Sequence, residues 1–460
     1  MTRPRLSQAV AGLALVAAVV LFVAPAPAGV APGVMPAAGL AVFAVGFWAT
    51  AVIPGHLTAI AFFLFAMLFA VAPAPVVFSG FHSTALWLVF GGLVLGVAVR
   101  RSGLGERFAR LLASRAGGSY AGIIAGIVVV SAVLALLMPS SMGRVLIFLP
   151  IVLTLADRLG FGPGSRGRTG MALAATMGTV MTGFGILPAN VANMVLSGAS
   201  ETLYGYVPAY GEFLLLHFPV TAALKAVALV GCILLMFRDR PLPARPAAAP
   251  AAGSAGERRL MVILGAALAL WATDFLHHVS PAWIALGAAF LCLLPRIGMV
   301  PAKAFNGEID YGSLFYVAGL LGLGAVVAES GLGDVLAGTL VDALGFTPGE
   351  NWRNFAAVSL LASALALVTT SAALPAVMTP LGASIAEATG LPLETVLMSQ
   401  VIGFSTVLLP YQLAPIIVGM HLAGVRNRDA VRLTLALAAI TLVVLLPLNY
   451  AWWSILGLFP

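Results

Sequence analysis

Long apolar runs alternate with short polar breaks along almost the whole chain. The runs cover 8–25, 35–52, 57–74, 84–100, 119–138, 142–157, 169–198, 212–237, 259–275, 281–295, 312–328, 352–369, 373–386, 392–424 and 430–456. About 20 apolar residues cross the hydrocarbon core as a helix, so these runs predict membrane helices. Residues 101–116 are arginine-rich and amphipathic. Residues 238–258 are Pro/Ala/Gly-rich and basic, which predicts a cytoplasmic linker between two halves. The resulting division is an N-terminal span and loop at 1–34, a first repeat at 35–237, the linker, and a second repeat at 259–460. The first run follows Arg3 and Arg5 and ends before Pro25 and Pro27. We read it as an uncleaved span with a cytoplasmic N-terminus, because a long series of spans follows.

Composition sharpens this picture. Of the 460 residues, 61% are hydrophobic and 8% charged. A soluble domain carries about 25% charged residues and could not cover its surface here. The net charge of +7 does not mark a nucleic-acid face, because the basic residues lie in short clusters between runs. Cys232 and Cys292 lie inside apolar runs with no CxxC spacing, which argues against a disulfide framework or a zinc site.

Basic loops lie on the cytoplasmic side. Clusters occur around Arg100–Arg115, Arg158–Arg168, Arg238–Arg259, Arg296 with Lys303, and Arg426–Arg432. The runs 119–138 and 142–157 begin and end beside such clusters, so they read as a re-entrant hairpin tipped near 139–141. The runs 352–369 and 373–386 are flanked by acids and read as a second hairpin, entered from outside. The halves also repeat. Leu86–Gly91 leads to Ser102-Gly103-Leu104-Gly105, and Leu314–Gly319 leads to Ser330-Gly331-Leu332-Gly333, at an offset of 228. Ser140-Ser141 and Thr370-Ser371 follow at an offset of 230. One copy precedes a cytoplasmic hairpin and the other an outside one, so the repeats are inverted. Transporters with inverted repeats bind substrate at the repeat interface near the midplane.

Four interrupted segments carry the candidate chemistry. They are the tip at Met138–Arg144, the break at Gly183–Asn190, the tip at Thr369–Ala373 and the break at Leu409–Pro415. A broken helix exposes N–H groups that suit an anion and carbonyls that suit sodium. Ser and Thr hydroxyls serve either partner. The candidate substrate-binding residues are Ser140, Ser141, Arg144, Pro188, Asn190, Thr370, Ser371, Pro410 and Gln412. Asn190 and Gln412 read as paired amides that donate to an oxyanion or support the unwound backbone. Arg144 lies one turn past Ser140, where a cation opposes the helix dipole, and burying it costs at least ~2.5–3.5 kcal/mol. It is expected to bind the anion directly or to take the place of a sodium ion; the alternative is that it points away and pairs with a helix C-terminus or snorkels to the cytoplasmic side. Away from the tips, Asp274 and Glu329 read as interfacial groups and His277-His278 as surface groups. His217 and Lys225 read as snorkelling or helix-packing residues.

This arrangement resembles the divalent anion:sodium symporter family, solute carrier family 13, of the ion transporter superfamily. Leu149-Pro150 stands nine residues after Ser140, and Thr379-Pro380 nine after Thr370, as a Leu-Pro does after that family's Ser-Asn-Thr tips. Gly185–Asn190 resembles the family's Gly-Thr-Pro-Pro-Asn break, and Pro410-Tyr411-Gln412 its second break. In this chain the tips read Ser140-Ser141-Met142 and Thr370-Ser371-Ala372. The resemblance implies an all-α polytopic membrane protein with two inverted repeats, about 11 transmembrane helices plus two re-entrant hairpins. It implies elevator transport of succinate-like dicarboxylates, citrate or sulfate in the inner membrane, by a homodimer embedded in lipid. It implies sodium as a coupling ion near Ser140, Ser141, Gly185, Thr370 and Ser371, and no other cofactor. An arsenite or sodium/proton antiporter of the same superfamily would place a carboxylate near the breaks, and none stands there. No HExxH, GxGD or GxSxG motif supports an intramembrane enzyme. A channel would show no trans-stimulation.

Overall fold

The computed structural model describes residues 3–104, 119–138, 140–240 and 255–460. Most of the amphipathic stretch 101–116, Pro139 of the first tip, and 241–254 of the linker lie outside the described residues. The described chain is helical throughout, without a β-strand. Six helices are long and apolar enough to cross a membrane: Thr84–Ser102, Tyr120–Leu137, Tyr210–Met236, Tyr311–Glu329, Asn351–Thr369 and Asn427–Ile455. Shorter apolar helices include Val34–Thr50, Gly55–Leu68, Pro281–Leu293 and Ala414–Ala423. Exposed Leu13, Val23, Val227, Leu235, Val262, Val443 and Ile455 leave apolar side chains around the outside, as lipid requires. The protein is a multi-pass membrane protein.

Both long runs expected to be interrupted are broken. Residues 169–198 resolve into the helices Arg166–Met181 and Val191–Tyr204, with two short 3-10 turns between them. Residues 392–424 resolve into Leu393–Ser405 and Ala414–Ala423, joined through the turn Pro410–Gln412. The two hairpins also form. The first joins Tyr120–Leu137 to Ser141–Arg158. The second joins Asn351–Thr369 to a chain of short helices from Leu374 to Thr389.

The halves interlock at these breaks. The helix after the first break, Val191–Tyr204, packs on Tyr311–Glu329 and on the second hairpin. Tyr204 hydroxyl donates to Thr379 O at 2.9 Å. The helix after the second break, Ala414–Ala423, packs on Arg166–Met181 and Ser141–Arg158. There Gly419 lies so close to Thr176 that a Cβ would meet Oγ1 at 2.5 Å. Phe184 and Phe404 then bring the two breaks side by side, with ring centroids 5.8 Å apart.

Three features differ from the sequence reading. The helix Ala255–Ala272 begins inside the stretch read as linker. An amphipathic helix, Leu332–Leu344, follows Gly331 and was not expected. The last helix of each half is loosened into a π-helical stretch, Phe218–Leu224 and Thr441–Leu445. Pro219 lies inside the first stretch and Pro447 follows the second, again at the repeat offset. Proline has no N–H to return to the preceding turn. The indoles of Trp452 and Trp453 supply donors there instead, to Leu215 O at 3.0 Å and Leu216 O at 3.3 Å.

Candidate functional site

Each hairpin tip docks on the break of its own half. At the first tip, Ser140 caps the helix Ser141–Arg158 by accepting from Gly143 N at 3.1 Å. Ser141 Oγ donates to Ala189 O of the first break at 3.2 Å. At the second tip, Ser371 N donates to Gln412 O of the second break at 3.2 Å. The matched serines therefore perform matched docking, one through its side chain and one through its backbone.

Arg144 fills the first tip. It is completely buried. Nη1 donates to Met138 O, and to Ala189 O at 3.0 Å. Nη2 donates to Thr179 O at 2.7 Å and Ser141 Oγ at 3.0 Å. Three of these acceptors are carbonyls, at the tip, at the break and near the end of the helix Arg166–Met181, and the fourth is the Ser141 hydroxyl. Such uncharged oxygens suit a desolvated cation. Of the expected roles, the contact with Thr179 O is the pairing with a helix C-terminus, here that of Arg166–Met181. Both Nη atoms are used, so no free fork faces an anion.

The first break is closed by asparagines. Asn190 Oδ1 accepts from Asn193 N at 3.0 Å, and Nδ2 donates to Gly183 O at 2.9 Å. Asn193 Nδ2 spans Gly183 O, Phe184 O and Ile186 O at 3.0–3.3 Å. Of the two amide roles expected for Asn190, the structure shows support of the unwound backbone. Pro188 lies in the second short turn, buried with it. Gly185 packs against the loosened helix, where a Cβ would meet Ala222 Cβ at 2.7 Å. Gly183 faces Arg144, whose Nη2 a Cβ would meet at 2.7 Å.

Both breaks leave buried polar atoms without a partner, Arg144 Nε and Asn193 Oδ1 at the first and two more at the second. Gln412 Oε1 accepts from Leu408 N and Leu409 N, each at 2.8 Å. Its Nε2 is buried with no partner, and so is Ser371 Oγ. Pro410 is buried at the start of the same turn. Thr370 holds φ +92° and ψ +156°, a region that β-branched residues avoid. Two unpaired polar groups and a strained residue thus gather at one tip. Unpaired buried donors are costly and mark places where a ligand completes the set.

Of the two roles expected for Lys225, the structure shows the helix–helix contact. Lys225 does not snorkel, being only 1% exposed. Its Nζ donates to Ser405 Oγ at 2.9 Å and Ser405 O at 3.1 Å, at the start of the second break. No ion pair among the described residues includes Arg144 or Lys225. Asp274 is buried, between the end of Ala255–Ala272 and the start of Tyr210–His217. It accepts from Tyr210 N and Gly211 N and so caps the helix that carries Lys225. His217 is buried between Phe213 and Trp453, as a packing residue. No group of three metal-ligating side chains occurs among the described residues.

Residues 40–403 match the family described as CitMHS, citrate transporter. The chain belongs to the citrate transporter family. That family is divalent anion:sodium symporter-like and lies in the ion transporter superfamily, as the tip and break motifs implied. Among relatives, a membrane protein of Cupriavidus necator is 24% identical over 391 residues, covering 82% of this chain and 76% of the relative. The inner membrane protein YbhI of Escherichia coli is 24% identical over 395 residues, covering 83% and 82%. The solved YdaH transporter of Alcanivorax borkumensis, described as having an unusual topology, aligns over 100% of both chains. Its TM-score is 0.55 and its identity 16%, which establishes likeness of fold. A citrate transporter family member is a membrane transporter and not an enzyme. Sequence reasoning had missed Asn193, Lys225 and Ser405 as members of the broken segments. Asn193 was signalled by its place three residues after Asn190, one helical turn away.

Proposed function

We propose that this protein is a secondary carrier of a small di- or tricarboxylate, such as succinate or citrate, or of sulfate. It works in the inner membrane as a homodimer with a cytoplasmic N-terminus. The two halves form inverted repeats whose re-entrant hairpins carry the substrate by an elevator motion. The observation that carries this reading is Arg144: a buried cation seated on freed carbonyls, with no acid beside it. A fixed positive charge there attracts an anion and repels sodium, by roughly 4 kcal/mol at 4 Å and an effective dielectric near 20. Ser371 Oγ and Gln412 Nε2 supply donors for the anion. The citrate transporter family and the inner-membrane relative support the substrate class and the membrane.

The test is counterflow in proteoliposomes, with succinate, citrate, sulfate and aspartate inside and labelled substrate outside. Trans-stimulation by one of the first three in sodium-free buffer is the expected result. Uptake without trans-stimulation would make the protein a channel. A steep requirement for several sodium ions would mean that Arg144 does not stand in for one.

A further inference from the structure

Lys225 and Arg144 share an unusual situation. Both are buried cations in the middle of a membrane protein, and neither has an acidic partner. Each is held by neutral oxygens at the C-terminal end of a helix that breaks. For Arg144 the helix is Arg166–Met181, and for Lys225 it is Leu393–Ser405. That end of a helix carries unpaired carbonyls and the negative pole of the dipole, so it favours a cation. Ser405 O accepts from Val407 N as well, but the ammonium adds a charge that no backbone donor brings.

The two cations do not occupy equivalent places in the repeat. Arg144 projects from the first hairpin, and its counterpart at the hairpin offset is Leu374. Lys225 projects from the last helix of the first half, and its counterpart at the offset of 228 is Trp453. One break receives its charge from its own hairpin, the other from a helix of the opposite half. What the two breaks share is therefore the charge at the carbonyls, not the residue or the route. A packing lysine would have no reason to end there. The loosened stretch Phe218–Leu224, packed on Gly185 of the first break, lies immediately before Lys225.

We propose that Lys225 is the resident cation of the second break, standing where a free alkali ion would otherwise bind. The inference deepens the carrier reading and rests on it for one consequence. With Arg144 at the first break, the protein holds a basic side chain on the carbonyls of each break and binds sodium at neither.

The test uses the full-length protein in detergent and reads its melting temperature in choline chloride and in sodium chloride at equal ionic strength. The wild type should melt at the same temperature in both salts. Lys225→Ala opens the carbonyls to solvent ions. It should melt lower in choline and recover at least half the loss in sodium, a gain of about 2–4 °C or more. Lys225→Met removes the charge but fills the space, so sodium should not change its melting. A saturable sodium-specific stabilisation of the wild type overturns the proposal. So does a Lys225→Ala protein that folds in neither salt, or one whose loss sodium leaves unchanged. These melting results do not depend on transport. If they come out as expected while no anion is exchanged, the carrier reading fails and Lys225 keeps its role. If exchange is measured and melting goes the other way, the reverse holds.

Discussion

Thr221 donates through its hydroxyl to Asn449 Oδ1 at 3.2 Å, and the two residues are 228 positions apart. That separation is the offset at which the halves of the sequence repeat. Residues at matched positions of the two halves therefore touch each other, Thr221 from the first loosened stretch and Asn449 from the helix Leu446–Ile455 that follows the second. Contact between counterparts is what a near-twofold relation between halves produces close to its axis. Asn449 also donates to Leu445 O at 3.0 Å, so its amide is used at both ends.

Thr221→Val leaves Asn449 Oδ1 buried without its donor. The expected cost is about 1–3 kcal/mol. Thr221→Val with Asn449→Leu should recover part of it, since both partners are then apolar. Melting of the three proteins in detergent checks this. A double variant less stable than the sum of the single ones would deny the pairing.

Arg144→Lys keeps the charge but not the fork. A lysine has three donors on one atom and cannot reach Met138, Ala189 and Thr179 carbonyls together. Each lost charge-assisted bond is worth about 1.5–3 kcal/mol, so exchange should fall at least about ten-fold. Gly183→Ala should act in the same direction, because its Cβ would stand 2.7 Å from Nη2. Exchange assays on protein of equal membrane yield read both. Full activity in either would mean that the guanidinium position is not needed.

Asn190 and Gln412 should separate cleanly. The Asn190 amide is consumed by Gly183 O and Asn193 N. Asn190→Ala should therefore lower the melting temperature and the yield. Gln412 keeps a free Nε2. Gln412→Glu removes that donor and adds a negative charge beside the proposed anion, so the apparent substrate constant should rise about ten-fold or more. An unchanged constant in Gln412→Glu would move the anion away from the second tip.

Thr370→Gly tests the strained tip. Glycine adopts φ +92° without a Cβ penalty, and relief of a residue in this region is worth about 1–3 kcal/mol. The variant should melt higher and exchange more slowly, if the strained geometry places Ser371. Lower stability would show that the Thr370 side chain holds the tip in other ways.

Much of this architecture was legible in the sequence, and the reasons are physical. Apolar helices in lipid are continuous apolar runs, so the hairpin arms Tyr120–Leu137 and Asn351–Thr369 could be bounded to within a residue or two. The breaks were legible because glycine, proline and amides interrupt those runs at Gly183–Asn190 and Leu409–Pro415. Lys225 was not legible. A lysine inside an apolar run looks the same whether it snorkels or finds a carbonyl, and Ser405 lies 180 residues away. The loosened stretches escaped for a similar reason. Pro219 and Pro447 signal a disturbed helix but do not say that it widens rather than kinks.

The indoles on Leu215 and Leu216 set a timetable for the newly made chain. Trp452 and Trp453 follow their acceptors by 237 residues. At roughly 5–20 residues per second, a ribosome needs roughly ten to fifty seconds to supply them. Over that interval the helix Tyr210–Met236 stands in the bilayer with a turn whose carbonyls lack their final donors, and with Lys225 waiting for Ser405. The first half is therefore inserted long before it is finished. Truncation just before Trp452 should leave a protein that enters the membrane but is removed by quality-control proteases.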